Sequence, residues 1–222
     1  MTAITTFATL KTAVSAYHPD GPRTDIDSGL LADFFLFTQS KMYRGDTGIQ
    51  PLRIQQMVSS ATLTPSSAGV VTITSAVNSG WLEFIELTPT YTGARPLDYV
   101  EPHAFRREQN LWLAGAAPAR IYTIEGNSLI VSPPQAATIV ASWYQKFTTM
   151  SADSDTDWVL LNAPQVYLNG MLAEACAYSG TLPAEEAGLR AKFAGGIAAL
   201  NLNDKVQRSS GSPKIARPRV VV

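Results

Sequence analysis

The spacing of apolar residues changes twice along the chain, and this limits the fold more than any other feature. Residues 1–57 and 151–207 carry apolar side chains at intervals of three or four, as amphipathic helices do. Residues 58–150 instead hold short segments in which apolar and polar residues alternate, as in half-buried strands. The sequence therefore predicts an α+β protein: N- and C-terminal helices form an antiparallel bundle, and an antiparallel β region is inserted between them.

The N-terminal part is predicted to contain two helices. Phe7, Leu10, Val14 and Tyr17 have helical spacing and indicate a short first helix. The predicted buried face of a longer second helix consists of Ile26, Leu30, Leu31, Phe34, Phe37 and Met42.

The inserted region is predicted to be strand-rich. Three segments with many β-branched and aromatic residues are predicted as strands, at 70–74, 81–87 and 96–100. Gly126 and Asn127 tolerate positive φ and predict a hairpin turn between two further strands. A last alternating strand, 138–147, is predicted to direct one set of side chains to the same face: Ile139, Ala141, Trp143 and Phe147.

The most strongly patterned stretch is DWVLLNAPQVYLNGMLAEACAY, residues 157–178. Asn162 is a candidate helix cap, with Pro164 at the first helical position, where its missing N–H is not needed. Small residues make the helix thin, so a neighbouring backbone can approach closely. The candidate inter-helix packing residues are Pro164, Tyr167, Leu168, Gly170, Leu172 and Ala175. A second, longer helix follows and completes a C-terminal helical hairpin that ends near residue 207.

Charge is sparse and unevenly placed. Charged residues make up 16% of the chain and the net charge is −1, which predicts no general attraction to nucleic acid or to an anionic membrane. Residues 208–222 carry four basic residues and no acid, so residues 1–207 carry a net charge of −5. We find no secretory signal and no apolar run near the roughly 20 residues of a membrane-spanning helix.

The basic C-terminal segment has two interpretations. Ser, Gly and Pro in this segment favour a disordered end. Its apolar terminus favours an extended arm that binds a partner, because strand-forming side chains can pair with a partner's sheet edge. The candidate residues of such an arm are Arg208, Lys214, Ile215, Arg217, Arg219, Val220 and Val222.

No motif predicts catalysis, a cofactor or a metal. Asp153, Asp155 and Asp157 have the spacing of a calcium loop, but the glycine and glutamate that such a loop needs are missing. The lone Cys176 lies among small residues and is predicted to pack. Carboxylates near Trp81 and Tyr91 leave an alternative open: a carbohydrate-binding or glycan-cleaving protein. These carboxylates are Glu83, Glu86, Asp98 and Glu101.

The order of features over 121–178 resembles the head–tail adaptor (connector) proteins of tailed bacteriophages. A hairpin ending in Pro leads to a strand with paired aromatics, Trp143 and Tyr144. A polar stretch, a Trp-Leu-Leu-like segment and a Pro-x-x-Tyr-Leu helix with Ala-Glu-Ala follow, at 158–161, 164–168 and 173–175. The chain departs from the family at YRGDTGIQP, residues 43–51, where one unbroken helix is usual.

This resemblance implies a structural virion protein at the head–tail interface, assembled in the host cytoplasm. It implies a homo-oligomeric ring, dodecameric by family analogy, beneath the portal protein, with the C-terminal arm reaching the portal or a neighbouring subunit. A stopper, nozzle or tail-tube protein would bind on the tail side. Double-stranded DNA would pass through the ring without specific binding, and no membrane would be involved.

Overall fold

The computed structural model describes residues 3–22, 26–73, 80–91, 93–109, 118–134, 137–180 and 182–209. The chain divides into two compact units. The first, the helical unit, comprises Met1–Gln56 and Phe147–Val222, and the second, the sheet unit, comprises Met57–Lys146.

Six helices and seven strands are present in the described residues, so the fold is mixed α and β. In chain order they are α1 (Phe7–Ala16), α2 (Ser28–Arg44), β1 (Val58–Leu63), β2 (Val70–Thr72), β3 (Trp81–Pro89), β4 (Asp98–Tyr99), α3 (Pro102–Gln109), β5 (Ile121–Glu125), β6 (Ser128–Ser132), β7 (Ile139–Gln145), α4 (Trp158–Asn162), α5 (Pro164–Ser179) and α6 (Pro183–Ser209). A short 3-10 turn, Gln55–Met57, precedes β1.

Helix α5 lies at the centre of the helical unit. It contacts α1, α2, α4 and α6, and buried residues occur all round it. A helix that is apolar on every side is stable only when other elements cover it. At Gly170, an added Cβ would clash with the Thr38 methyl of α2 and lie 3.1 Å from the Phe193 ring of α6. The absence of a side chain at Gly170 therefore lets both helices approach α5.

The sheet unit contains two sheets. One has the strand order β1-β7-β3 and is antiparallel throughout. The other has the order β2-β6-β5-β4, in which β5 and β6 form the hairpin predicted around Gly126, whose φ is 58°. Inward-facing side chains of both sheets form one core: Leu63, Val71, Leu87, Leu129, Val131, Ile139, Ala141 and Trp143.

Several sequence-based expectations about the strands are wrong. The strand expected at 96–100 shortens to Asp98–Tyr99 and pairs with β5 in parallel, not antiparallel, orientation. Strand β7 ends at Gln145, so Phe147 does not continue its buried face. Phe147 instead belongs to the helical unit, where its ring stacks on Trp158 at 6.4 Å.

Two expectations about the helices are also wrong. Asn162 does not cap α5, because it ends α4 and donates its amide to the Trp158 carbonyl at 2.8 Å. The N-cap of α5 is Ala163, which has no capping side chain, and Pro164 follows as expected. In α2, Phe35 is buried at 1% exposure, whereas Phe37 is 54% exposed. The sequence pattern fits either residue; packing against α1 and α5 selects Phe35, whose ring lies 5.0 Å from Phe7 and 5.2 Å from Tyr167.

We expect Gly170→Ala to lower the free energy of unfolding by about 1–3 kcal/mol, because the new methyl group must displace Thr38 or Phe193 from a close-packed contact. Urea denaturation followed by circular dichroism measures the change. The control is Gly188→Ala in α6, where no atom lies within 4 Å of the added Cβ. That variant is expected to be neutral or more stable by up to about 1 kcal/mol, through helix propensity. Equal effects at the two positions would contradict this account of Gly170.

Candidate functional site

A buried hydrogen-bond network joins α2, α4 and α5. Asp157, which is 8% exposed, accepts a bond from the Leu160 N–H at 2.8 Å and so caps α4. Its other carboxylate oxygen accepts a bond from the Tyr167 hydroxyl of α5 at 2.5 Å. The Tyr43 hydroxyl of α2 hydrogen-bonds to the Tyr167 hydroxyl and also accepts a bond from the Phe147 N–H at 3.2 Å. These bonds fix the chain where it re-enters the helical unit.

Burial controls the protonation of this network. It raises the pKa of Asp157, although the bonds donated by Tyr167 and by backbone amides oppose the shift. Burial also raises the pKa of Tyr43 and of Tyr167, so both phenols stay neutral at physiological pH. A neutral Tyr167 can keep donating to the carboxylate. The arrangement therefore stabilises the packing of α4 on α5.

Helix α6 holds the segment that leads out of the helical unit. The Asn201 side chain accepts a bond from the Arg53 N–H at 2.8 Å and donates one to the Pro51 carbonyl at 3.0 Å. The Asp204 carboxylate accepts a bond from the Gln55 N–H at 2.7 Å. These side chains of α6 therefore satisfy backbone groups of residues 51–55 that would otherwise lack hydrogen bonds.

The helical unit exposes several large apolar side chains. In α2, Leu36 is 47% exposed and Phe37 is 54% exposed. In α6, Leu202 is 61% and Val206 is 57% exposed. Other exposed side chains of this unit are Tyr17, Leu161 and Tyr178. Leu36 and Phe37 adjoin each other on α2, and Leu202 and Val206 are one turn apart on α6, so each pair forms a small exposed apolar area of the kind that interaction sites use.

The candidate packing residues of α5 differ in how far they are buried. Tyr167, Gly170, Leu172 and Ala175 are buried within the helical unit. Pro164 and Leu168 are half-buried.

Of the candidate arm residues, Arg208 alone lies in the described part of the chain. It is in the last turn of α6 and forms an ion pair with Asp204 at 2.5 Å. Lys214, Ile215, Arg217, Arg219, Val220 and Val222 lie outside the described residues.

The residues weighed for other chemistry are placed as follows. Asp155 accepts bonds from the Ser151 and Ala152 amides, each at 2.8 Å, as a turn residue does. Cys176 is buried, and burial raises the pKa of its thiol. The described ranges contain no group of His, Cys, Asp and Glu side chains that could hold a metal ion. Within those ranges no helix is both long and apolar enough to cross a membrane. Trp81 and Tyr91 are both half-buried: the Trp81 ring lies 5.3 Å from that of Phe84, and the Tyr91 hydroxyl donates to the Ala119 carbonyl at 3.2 Å.

Sequence reasoning missed the roles of Asn201, Asp204 and Asp157. A signal for the first two was available, since they continue the buried stripe of Phe193 and Ile197 at helical spacing. A polar residue on such a stripe indicates a buried hydrogen bond. Asp157 stands in a polar linker, and nothing local distinguishes it from a solvated residue.

The described structure thus combines a closely packed helical unit with exposed apolar side chains, which is typical of a protein that works by binding other proteins. A family model described as SU10 adaptor protein matches residues 5–218. Because this match covers nearly the whole chain, the chain belongs to the SU10 adaptor protein family. The resemblance to phage head–tail adaptors is thereby confirmed, and the family is one of structural adaptors, components of the virion. No curated protein matches the chain.

The raised pKa of Asp157 predicts a specific pH dependence of stability. The folded state holds the Asp157 proton more tightly than the unfolded state, whose pKa is near 3.8. The contribution of this group to the free energy of unfolding therefore falls as pH rises from 3.8 through the folded pKa. Asp157→Asn does not titrate, so the wild type loses stability relative to this variant over that range. Urea denaturation at a series of pH values measures the difference.

Asp155→Asn is the control, for which we expect the stability difference from wild type to change with pH in the opposite direction. Bonds from the Ser151 and Ala152 amides lower the pKa of Asp155. Its contribution is therefore present above the unfolded pKa and is lost as pH falls through the folded pKa. A stability difference for Asp157→Asn that does not change with pH would contradict the assignment of a buried, proton-retaining carboxyl group.

Proposed function

We propose that this chain forms a homo-oligomeric ring, dodecameric by family analogy, that docks beneath the portal protein and links it to the tail. The observation that carries the proposal is the family match over residues 5–218. It spans both units and continues into the basic C-terminal segment 208–222. The segment that we assign to docking is thus largely part of what the family shares.

Exposed apolar side chains on the helical unit support self-association. Leu36 and Phe37 of α2, and Leu202 and Val206 of α6, are between 47% and 61% exposed. Charged residues make up only 16% of the chain, below the roughly 25% that is usual in globular domains. Interfaces between identical subunits are enriched in such apolar surface. In our proposal the helices at both ends of the chain form an antiparallel bundle that carries these contacts.

The C-terminal segment is the proposed docking arm. Lys214, Arg217 and Arg219 would pair with acidic groups of the portal protein or of a neighbouring subunit, and Ile215 and the terminal valines would anchor the arm in extended form. On the opposite side of the ring, a stopper, nozzle or tail-tube protein would bind. Residues 1–57, 58–150 and 151–207 would then be the N-terminal helices, the inserted β region and the C-terminal hairpin of one subunit.

The charge distribution suits a channel through which DNA moves. Residues 1–207 carry a net charge of −5, because four of the 17 basic residues and none of the 18 acidic residues lie in 208–222. Phosphate-binding cations along a channel would hold the DNA backbone. A channel lined mainly by neutral and acidic groups lets double-stranded DNA pass without specific binding. Assembly would take place in the host cytoplasm, before the virion is released.

Particles made without this chain test the proposal directly. Electron microscopy is expected to reveal heads that packaged DNA, or lost it, and that carry no tails, because the portal lacks the surface to which the tail binds. Supplying the chain in trans is the control and restores tailed particles. Fully tailed but non-infectious particles would contradict the proposal and favour the carbohydrate-binding tail protein.

Removal of residues 210–222 tests the docking arm. The truncation keeps Arg208 and its ion pair with Asp204, so the free energy of unfolding is expected to change by less than about 0.5 kcal/mol. Co-sedimentation with portal complexes is expected to be lost. Alanine at Lys214, Arg217 and Arg219 in the full chain separates charge from apolar anchoring. Normal occupancy of the truncated chain on portals would refute the arm.

A further inference from the structure

Strand β1 is an open edge of its sheet. It stands at the end of the order β1-β7-β3 and pairs with β7 in unbroken register from Val58 to Leu63. On its other side, no residue in the described part of the chain bonds to its backbone. We call this side the β1 edge. Its N–H and C=O groups are available to a further strand.

The β1 edge lacks the features that keep edge strands from pairing. Proteins use charged residues, proline and irregularities such as β-bulges for this purpose, and β1 contains no charge and no proline. Strand β3, at the other end of the same sheet, has all three: Glu83 and Glu86, Pro89, and two shifts in its register with β7. The Leu97 N–H also bonds to the Leu87 carbonyl of β3 at 2.8 Å. The sheet is thus protected at one edge and open at the other, which indicates that a strand is added at β1.

The C-terminal segment has the composition of such a strand. In an extended chain successive side chains alternate between two faces, so Arg217 and Arg219 share one face and Val220 and Val222 share the other. Pro218 lacks an N–H and is accepted in a strand only at an edge, with its nitrogen turned away from the neighbouring strand. Residues 214–222 span about 30 Å when extended, more than the roughly 20 Å of a six-residue strand such as β1.

The two faces of β1 match those of the segment. Ala61 and Leu63 pack in the core of the sheet unit, whereas Ser60 is exposed on the opposite side. An added strand that turns Val220 and Val222 to the core side extends the apolar core past β1. Its arginines then lie on the exposed side, next to Ser60, where water reaches them.

The charge distribution favours a segment that comes from another copy of the chain. Residues 1–207 carry a net charge of −5, so two copies placed side by side repel each other in this part. Residues 210–222 carry three basic residues and no acid. A segment that reaches the next subunit brings opposite charges together across the interface. A segment that folds back on its own subunit makes no contact between copies.

We propose that residues 214–222 of one subunit add as a strand to the β1 edge of the next subunit. The inference rests on the ring proposed above and specifies the contact that its C-terminal arm makes. Each subunit gives one strand and receives one, so the contact is heterologous and closes into a ring when the rotation permits. The added strand becomes the new edge, where Pro218 and the arginines prevent a further strand from pairing.

Cross-linking in assembled particles tests the contact. Particles are built with Ser60→Cys/Val221→Cys and treated with a short bifunctional maleimide; both side chains lie on the exposed side in the proposed pairing. The native Cys176 is 1% exposed, so it contributes little background. A ladder of covalent multimers of this chain is expected, because each subunit is linked to both neighbours. The control Glu86→Cys/Val221→Cys, with an exposed cysteine on the other edge strand, is expected to give no ladder.

The outcomes separate this contact from the ring itself. Rings at the portal whose cysteines react with a monofunctional maleimide, but which form no ladder, would overturn the contact and leave the proposed function intact. A link within one chain, or a link from Val221→Cys to the portal protein, identified by mass spectrometry, would also overturn the contact. Absence of the chain from the portal of wild-type particles would overturn both the ring and the contact.

A pair of substitutions of opposite charge provides a second measurement. Ser60→Lys places a cation beside the arginines of the added strand, whereas Ser60→Glu places an anion there. Incorporation of the lysine variant into particles is expected to be about fivefold lower than that of the glutamate variant, because like charges on neighbouring strands repel. The melting temperatures of the two free chains should agree, since Ser60 is exposed. Equal incorporation of the two variants would contradict the proposal.

Discussion

The helical unit depends on the burial of α5. Buried residues occur on every side of this helix, and α1, α2, α4 and α6 all pack against it. The closest approach is at Gly170, where a side chain of any size would meet Thr38 and Phe193. Close packing at this point sets the spacing of the helices, and the hydrogen bonds of the unit form at that spacing.

Buried polar groups then fix the points where the chain enters and leaves the helical unit. Asp157 holds the entry by capping α4 and accepting the Tyr167 hydroxyl. Asn201 and Asp204 hold the exit by bonding the backbone that precedes the sheet unit. A buried polar group without a partner destabilises the fold by several kcal/mol in apolar surroundings, roughly 2–7 by transfer measurements. The bonds therefore select one path of the chain among many that the apolar packing alone would allow.

The same packing determines what is left for assembly. Because α2 and α6 each use one side on α5, their other sides remain exposed, with Phe37 and Leu202 among the most accessible apolar residues. A member of an adaptor family works through the surfaces that it presents to other proteins. The burial of a single helix thus determines which sides of α2 and α6 are exposed, and this links the stability of the subunit to the role that we propose for it in the virion.

The sequence by itself determined the types of most elements, the hairpin at Gly126, the start of α5 at Pro164 and the family resemblance. These depend on local chemistry: periodicity, positive φ and the missing N–H of proline. The tertiary structure alone decided that Phe35 is buried and Phe37 exposed, that β4 pairs in parallel, that Asp157 bonds the Tyr167 hydroxyl, and that Asn201 bonds the backbone of Pro51 and Arg53. The physical reason is that a periodic pattern indicates which residues share a face, whereas burial and strand pairing depend on which distant element packs against that face.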